Sequence, residues 1–257
     1  MAPNRHSKKL ASAGNICASF TVLTAIWAVV ACISNSNTLP SPLAVLDFMV
    51  AEAIAGPLFL ETGATLLRVG VSLLISMALG SAIGIFLGLR PAADRFFDSW
   101  VVLFLNIPAV VVIVLAYVWL GLNEFAALVA IAVNKIPNVV VVMREGARSL
   151  DPQYADMANV FRLTIARKIR NVILPQLYPF VAASIRSGFS LIWKIVLVVE
   201  LLGRPNGVGF QIHLHFQLFD VAGILGYALT FVVVMLGVEF FLLQPAEQHA
   251  HRWRMHG

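Results

Sequence analysis

Apolar and polar residues follow one another in long blocks along this chain, without the short periods of a soluble helix or strand. A bilayer core is about 30 Å thick and is crossed by about 20 consecutive apolar residues in a helix. Six blocks reach this length: 16–34, 64–89, 100–120, 125–143, 180–202 and 221–243. The pattern predicts an all-α membrane protein with six transmembrane helices.

The same blocks predict the domain organisation. We expect one transmembrane domain over residues 16–243, a long polar loop within it at 144–179, and short tails at 1–15 and 244–257. A basic stretch precedes the first block, as in a signal peptide. However, the apolar run is longer than a usual signal core, and no cleavage site of small residues follows it. We therefore expect the first block to be a retained helix.

Composition excludes an ordinary soluble domain. The chain is 60% hydrophobic and only 12% charged, about half the usual charged share. A soluble domain of this size needs more charge to cover its surface. The two cysteines, Cys17 and Cys32, lie in the first block without the spacing of a metal site or a disulfide framework. We interpret them as small apolar helix residues.

The distribution of cations predicts the orientation. Six crossings put both termini on one side. Thirteen of the eighteen Lys and Arg residues lie in the tails and loops of that side, four lie inside blocks, and Arg204 alone lies on the other side. Cytoplasmic loops are enriched in Lys and Arg. Both termini and the long loop are therefore predicted to be cytoplasmic, and the basic charge needs no nucleic acid partner.

The long loop contains a predicted helix. Asp151 before Pro152 is a helix start signal, and no proline or glycine occurs again before Pro175. Helical spacing gives this segment a basic flank and an apolar face, formed by Ala155, Ala158, Phe161 and Ile165. Such a surface suits a groove on another protein or an anionic lipid surface. Charge alone does not decide between them.

The order of residues in this loop resembles the signature of membrane subunits of bacterial ABC importers. That signature is Glu-Ala-Ala, three residues, Gly, nine residues, then Ile-x-Leu-Pro. Here Asp-Met-Ala at 156–158 stands at the triplet, Arg162 stands at the glycine, and Val-Ile-Leu-Pro at 172–175 matches the end. The stretches LPSPLAVL, TLLRV and VVELLGRPNGVGFQI further resemble the nitrate/sulfonate/taurine group, over roughly residues 39–243.

This resemblance implies a type I ABC importer permease in a bacterial inner membrane. It implies a cytoplasmic coupling helix at 152–175 that docks into a cytosolic ABC ATPase dimer, a second permease copy as a homodimer, and an extracytoplasmic solute-binding protein. The residues it implies for ATPase coupling are Asp156, Met157, Ala158, Phe161, Arg162, Leu163, Leu174 and Pro175. The signature glycine allows a bend, so Arg162 in its place predicts a straighter helix.

The chain lacks the sequence features of an enzyme. No Gly-x-x-x-x-Gly-Lys-Ser/Thr phosphate loop occurs, so we expect no cofactor in this chain, with ATP and Mg²⁺ bound by the partner ATPase. No histidine lies in any block, and His213 and His215 lack a third metal ligand, so no metal is expected. The alternative function is a secondary transporter driven by an ion gradient. Such proteins often have internal repeats or more spans.

Two lysines inside blocks suggest the transported solute. Intramembrane charges are costly and mark functional sites, and Lys135 and Lys194 lie at similar depth. Two cations facing one cavity would favour a small anion such as nitrate, a sulfonate or a carboxylate. Alternatively, each lysine snorkels or pairs, for example Lys194 with Glu200. The candidate translocation residues are Asn134, Lys135, Asn138, Ser190 and Lys194.

Small residues recur at steps of four in the second block. Gly80, Gly84 and Gly88 continue a row that starts at Ser72 and Ser76. Small residues at this spacing let helix backbones approach closely. The row therefore predicts a helix-packing seam, either within one subunit or as a moving contact.

Overall fold

The computed structural model describes residues 5–34 and 38–243, and all regular elements in this part of the chain are helical. The α-helices are α1 (Arg5–Ser34), α2 (Pro42–Ala55), α3 (Leu58–Leu89), α4 (Pro91–Asn106), α5 (Ala109–Leu120), α6 (Glu124–Arg148), α7 (Pro152–Val160), α8 (Ile165–Lys168), α9 (Leu174–Gly203), α10 (Val208–Gln217) and α11 (Val221–Val238). Two π-helical turns, Ile169–Ile173 and Glu239–Leu243, lie directly before α9 and after α11. The predicted all-α class is confirmed.

Three helices of the described residues are long and apolar enough to cross a bilayer: α3, α6, and α11 extended to Phe241. The pair α4 and α5 makes a fourth crossing if it is one broken span. The prediction of a single helix over 100–120 is wrong, because the chain bends by 93° between α4 and α5. Pro108 lacks a backbone N–H and forces Ile107 into an extended conformation, which ends α4.

The two remaining predicted spans also lie in helices. The segment 16–34 lies within the 30-residue helix α1. The segment 180–202 lies in α9, which is about 45 Å long at 1.5 Å per residue but carries three charged residues. The count of six crossings therefore stays a prediction. The N-terminal tail is partly helical, since α1 begins at Arg5, and the C-terminal tail lies outside the described residues.

The chain divides into two compact units. One contains the described residues before Leu60 together with Ile212–Thr230. Within it, Trp27 donates a hydrogen bond from Nε1 to the carbonyl of Pro40 (3.1 Å), and the buried Tyr227 donates one from its hydroxyl to Glu52 Oε1 (2.6 Å). These bonds join α1 to the start of α2, and α2 to α11.

The other unit contains Leu60–Gln211 and the residues from Phe231 onward. Helix α6 is its centre and packs against α4, α5 and α9. Val139 and Met143 of α6 form a buried cluster with Leu177 of α9. A Cβ atom at Gly146 would lie 2.7 Å from Cγ of Phe180, so α6 and α9 are in close contact here.

The glycine row of α3 packs against α6. A Cβ atom at Gly80 would lie 2.6 Å from Cβ of Val139, and one at Gly88 would lie 2.6 Å from Cβ of Ala147. At Gly84 it would lie 2.7 Å from the carbonyl oxygen of Val140. These distances leave no room for a side chain on α3, so the two helices meet within one subunit over two helical turns.

The end of α7 contradicts the expectation of a straight docking helix. Arg162 has a φ of +47°, which is the left-handed conformation that glycine normally supplies at the C′ position of a helix. The N–H of Leu163 donates to the carbonyl of Ala158 (2.9 Å), which is the six-to-one bond of a Schellman motif. The signature glycine is therefore replaced by arginine without loss of the bend.

Replacing Arg162 with glycine tests whether the left-handed backbone conformation at this position is strained. A non-glycine residue in the left-handed region costs about 1–2 kcal/mol, and the extra chain entropy of glycine offsets about 0.5–1 kcal/mol of that gain. We expect Arg162→Gly to slow hydrogen exchange of the amides at 161–163 about threefold. The matched change Arg167→Gly, within helix α8, removes helix propensity worth about 1 kcal/mol and is expected to speed local exchange. Faster exchange in Arg162→Gly would contradict the strain argument.

Candidate functional site

The loop between α6 and α9 presents apolar side chains to the outside. Met157 is 45% exposed, Phe161 is 71% exposed and Val160 is 79% exposed. Asp156 and Arg162 are also exposed, whereas Ala158 is only 1% exposed and packs inward. An exposed apolar patch rimmed by polar residues can mark a site for another protein or for the membrane surface.

This patch differs from the apolar face predicted for a single long helix. Ala158 and Phe161 were expected to share one face, but Ala158 is buried and Phe161 is exposed. The reason is the turn at Arg162, because α7 ends at Val160 and a new helix starts at Ile165. The side chains of Ala155 and Ile165 lie outside the described residues.

The other predicted coupling residues lie on both sides of the turn. Leu163 follows Arg162 and is half-buried. Leu174 and Pro175 lie in the first turn of α9 and are exposed. The structure thus brings the triplet and the Arg162 turn into one compact loop, with the Leu-Pro pair at the foot of α9.

Two arginines tie the start of this loop to α4. Arg144 forms ion pairs with Asp94 (3.1 Å) and Asp98 (2.6 Å), and Arg148 pairs with Asp94 and with Glu145 (2.6 Å). Asp94 is buried and accepts from both arginines. These cations, which contribute to the orientation signal, therefore also have a structural use.

The predicted translocation residues fall into two environments. Asn134 and Asn138 are half-buried on α6, and their side-chain amides donate to the carbonyls of Ala130 (3.0 Å) and Asn134 (3.2 Å). Ser190 is exposed on α9, and its hydroxyl donates to the carbonyl of Ser187 (3.2 Å).

The two lysines do not share an environment within the chain. Lys135 is 1% exposed, and its Nζ lies 3.5 Å from the position that a Cβ atom on Gly188 would take. Lys194 is exposed, with Nζ 5.5 Å from the ring centroid of Trp193, a cation–π distance. The suggested pair of Lys194 with Glu200 is wrong, because Glu200 binds Arg68.

Arg68 is the centre of a buried ion-pair network. It is 5% exposed and pairs with Glu200 of α9, which is fully buried, and with Glu124 at the start of α6 (2.6 Å). Its Nη2 donates to Oδ1 of Asn206 (2.6 Å), and Arg204 pairs with Glu124 (2.9 Å). One guanidinium thus connects α3, α6 and the segment after α9.

The same network fixes the segment between α9 and α10. Glu200 Oε2 accepts from the hydroxyl of Thr65 (2.9 Å) and from the N–H of Gly209 (2.9 Å). Glu61 accepts from the N–H of Gly207, whose φ is +106°. Buried carboxylates are stable only when such donors satisfy their oxygens.

The sequence pattern did not reveal this network, although one signal was present. Glu61, Arg68, Glu124, Glu200 and Arg204 all lie inside a predicted block or within a few residues of one end, and all at the same predicted face. Charges at matching depth in several spans require partners. His215, in the outer loop, pairs with Asp220 (2.9 Å).

The chain is similar to known membrane proteins of transport systems. The family described as "Binding-protein-dependent transport system inner membrane component" matches residues 80–246. A probable ABC transporter permease protein of Brucella abortus (strain 2308) is 29% identical over 233 residues, which cover 91% of this chain and 90% of that protein. The taurine transport system permease protein of Escherichia coli (strain K12) is 26% identical, covering 86% and 84% of the two chains.

A solved structure supports the fold. An inward-facing structure of the MetNI methionine ABC transporter has a TM-score of 0.65 and 16% identity, and the match covers 78% of this chain and 98% of that chain. Permeases for aliphatic sulfonates and for nitrate are also among the similar proteins, so the resemblance to the nitrate/sulfonate/taurine group is confirmed. Since the family match spans well over half of the sequence, this chain belongs to the inner membrane components of binding-protein-dependent transport systems, the permease subunits of ABC importers.

Proposed function

We propose that this permease receives the movement of a cytosolic ATPase through the loop at 152–175 and passes a small anion across the membrane. ATP-driven transport and hydrolysis by a separate subunit follow from the family, which also decides against the secondary transporter. The exposed patch of Met157, Val160 and Phe161 is the observation that supports a docking role for this loop, because an apolar surface beside a basic flank suits a protein groove.

The patch has the geometry of a docking element. The Schellman turn ends α7 directly after Val160 and leaves Phe161 at the tip of the loop. Arg162 directly follows the patch, and Arg167 and Arg170 are exposed in the next helical stretch, so the matching cleft on the ATPase is expected to be apolar with an acidic rim. An anionic lipid surface is the competing occupant.

Substitution of Phe161 distinguishes these occupants. Phe161→Asp places a charge in the docking contact, and we expect at least tenfold less ATPase to co-purify, since a lost aromatic anchor typically costs 2 kcal/mol or more. The matched control Phe219→Asp changes another exposed phenylalanine, on the predicted opposite face, and is expected to leave the complex intact. Equal ATPase recovery from both variants would favour the lipid surface.

We further propose that both termini and this loop are cytoplasmic, on the strength of the asymmetric Lys and Arg distribution. In a background with Cys17→Ser and Cys32→Ser, a membrane-impermeant maleimide is expected to label Arg167→Cys in inside-out vesicles only. It is expected to label Phe216→Cys in spheroplasts only. Labelling of both sites from the same side would contradict this orientation.

The proposed pathway runs past the polar residues of α6 and α9. Asn134, Asn138, Ser190 and Lys194 would meet the solute, while Lys135 would become available only when α3, α6 and α9 separate. A homodimer would place two copies of the exposed Lys194 along this route, which favours an anion. The permeases for aliphatic sulfonates and for nitrate among the similar proteins are in keeping with such a solute.

Removal of the Lys194 charge tests the anion assignment. We expect Lys194→Ala to lower uptake of labelled ethanesulfonate or nitrate about tenfold, which corresponds to about 1.4 kcal/mol, in a complex reconstituted with its binding protein. Lys194→Arg keeps the charge and is expected to retain most of the uptake. Arg95→Ala, which removes an exposed cation from α4, is the control. Wild-type uptake of these anions by Lys194→Ala would contradict the proposal.

A further inference from the structure

Gln176 joins two separate parts of the coupling loop, although it lies outside the family signature. It is half-buried in the first turn of α9. Its Nε2 donates to the carbonyl of Val172 (2.9 Å), and its Oε1 accepts from the N–H of Asp151 (3.0 Å), 25 residues earlier. A carboxamide has both a donor and an acceptor, and only this orientation of the group satisfies both neighbours.

The Gln176 side chain adds a donor where the backbone is irregular. The segment Ile169–Ile173 is a π-helical turn in which the N–H of Leu174 bonds to the carbonyl of Ile169. Pro175 follows and has no N–H to donate. The bond from Gln176 to the carbonyl of the buried Val172 therefore fixes the Gln176 side chain beside this turn.

The N–H of Asp151 lies on the other side of the loop. Asp151 directly precedes α7, and its Oδ1 accepts from the N–H of Gln153 (2.9 Å). The side chain of Asp151 therefore caps α7, while its backbone N–H is held by Gln176. The start of the docking helix is thus bonded directly to the foot of α9.

We propose that Gln176 is a positioning residue that makes the docking helix and α9 move as one body. Along the chain, the two are connected through the Arg162 turn, α8 and a π-helical turn, all of which can bend. The Gln176 bridge bypasses these joints, and the contact of α7 with the π-helical turn supports it. This inference rests on the proposed docking of the loop to an ATPase.

Removing the bridge is expected to uncouple ATP hydrolysis from the movement of α9. Gln176→Leu has a similar volume but neither hydrogen bond, so the loop would still bind the ATPase through its exposed patch. ATP hydrolysis would continue, but its movement would be absorbed at the bends instead of turning α9. A residue with a merely structural role would lower assembly and hydrolysis together.

The experiment uses the complete complex of permease, ATPase and binding protein in nanodiscs. A reporter, Ser187→Cys on the exposed surface of α9, is placed in a background with Cys17→Ser and Cys32→Ser. The measured quantities are ATP hydrolysis and the change in maleimide labelling rate on trapping with ATP and vanadate. Gln217→Leu, the same chemical change on α10, is the matched control.

We expect Gln176→Leu to keep its ATPase and to hydrolyse ATP within twofold of the control, while the vanadate-dependent change in labelling falls at least threefold. Gln176→Glu keeps the acceptor for the N–H of Asp151 and loses only the local bond to Val172, so this polar variant is expected to retain most of the labelling change. A full labelling change in Gln176→Leu, or an equal loss in both variants, would overturn the inference alone, as would parallel loss of assembly and hydrolysis. Absence of the ATPase from the wild-type complex would overturn the proposed function as well.

Discussion

The buried pair of Arg68 and Glu200 is the interaction on which the larger unit of this permease depends. It joins α3 to α9, and both side chains are buried. Removing one partner of a buried pair leaves an uncompensated charge and typically costs 3–5 kcal/mol. The same two side chains hold Glu124 at the start of α6 and the N–H of Gly209 after α9. Three helices and one connecting segment are therefore positioned by a single guanidinium.

Under the proposed coupling, this arrangement would let α9 act as a lever. One end of the helix is fixed by Glu200, and the other end is bonded through Gln176 to the residue before α7, the proposed docking helix. Between these ends, Leu177 and Phe180 pack tightly on α6. The exposed polar residues of α9, Ser190 and Lys194, lie on the same continuous helix as both anchors. A displacement at the loop would reach the proposed pathway along this one helix, which contains Pro179 near its start.

Much of the architecture was predictable, since block lengths and helix signals depend on local sequence. The sequence also predicted the start of α7 at Pro152 and the family. It failed where a residue acts against its usual preference or through a distant partner. Arg162 was expected to straighten the loop, yet the Schellman bond from Leu163 holds it in a left-handed conformation. The bend at Ile107 depends on a proline that was read as part of a span. Gln176 and Glu200 were missed because their partners lie 25 and 132 residues away.

The glycine row of α3 has a consequence for how this protein can change over generations. Gly80, Gly84 and Gly88 each face a different turn of α6, and all three contacts depend on the same close approach of the two helices. A single larger side chain would push the helices apart and empty the space at the other two positions. The effect of a substitution at one of the three positions therefore depends on the residues at the other two, which is epistasis. A larger residue at one position is disfavoured while the others remain glycine. A greater spacing between α3 and α6 would require substitutions at all three positions close together in evolutionary time.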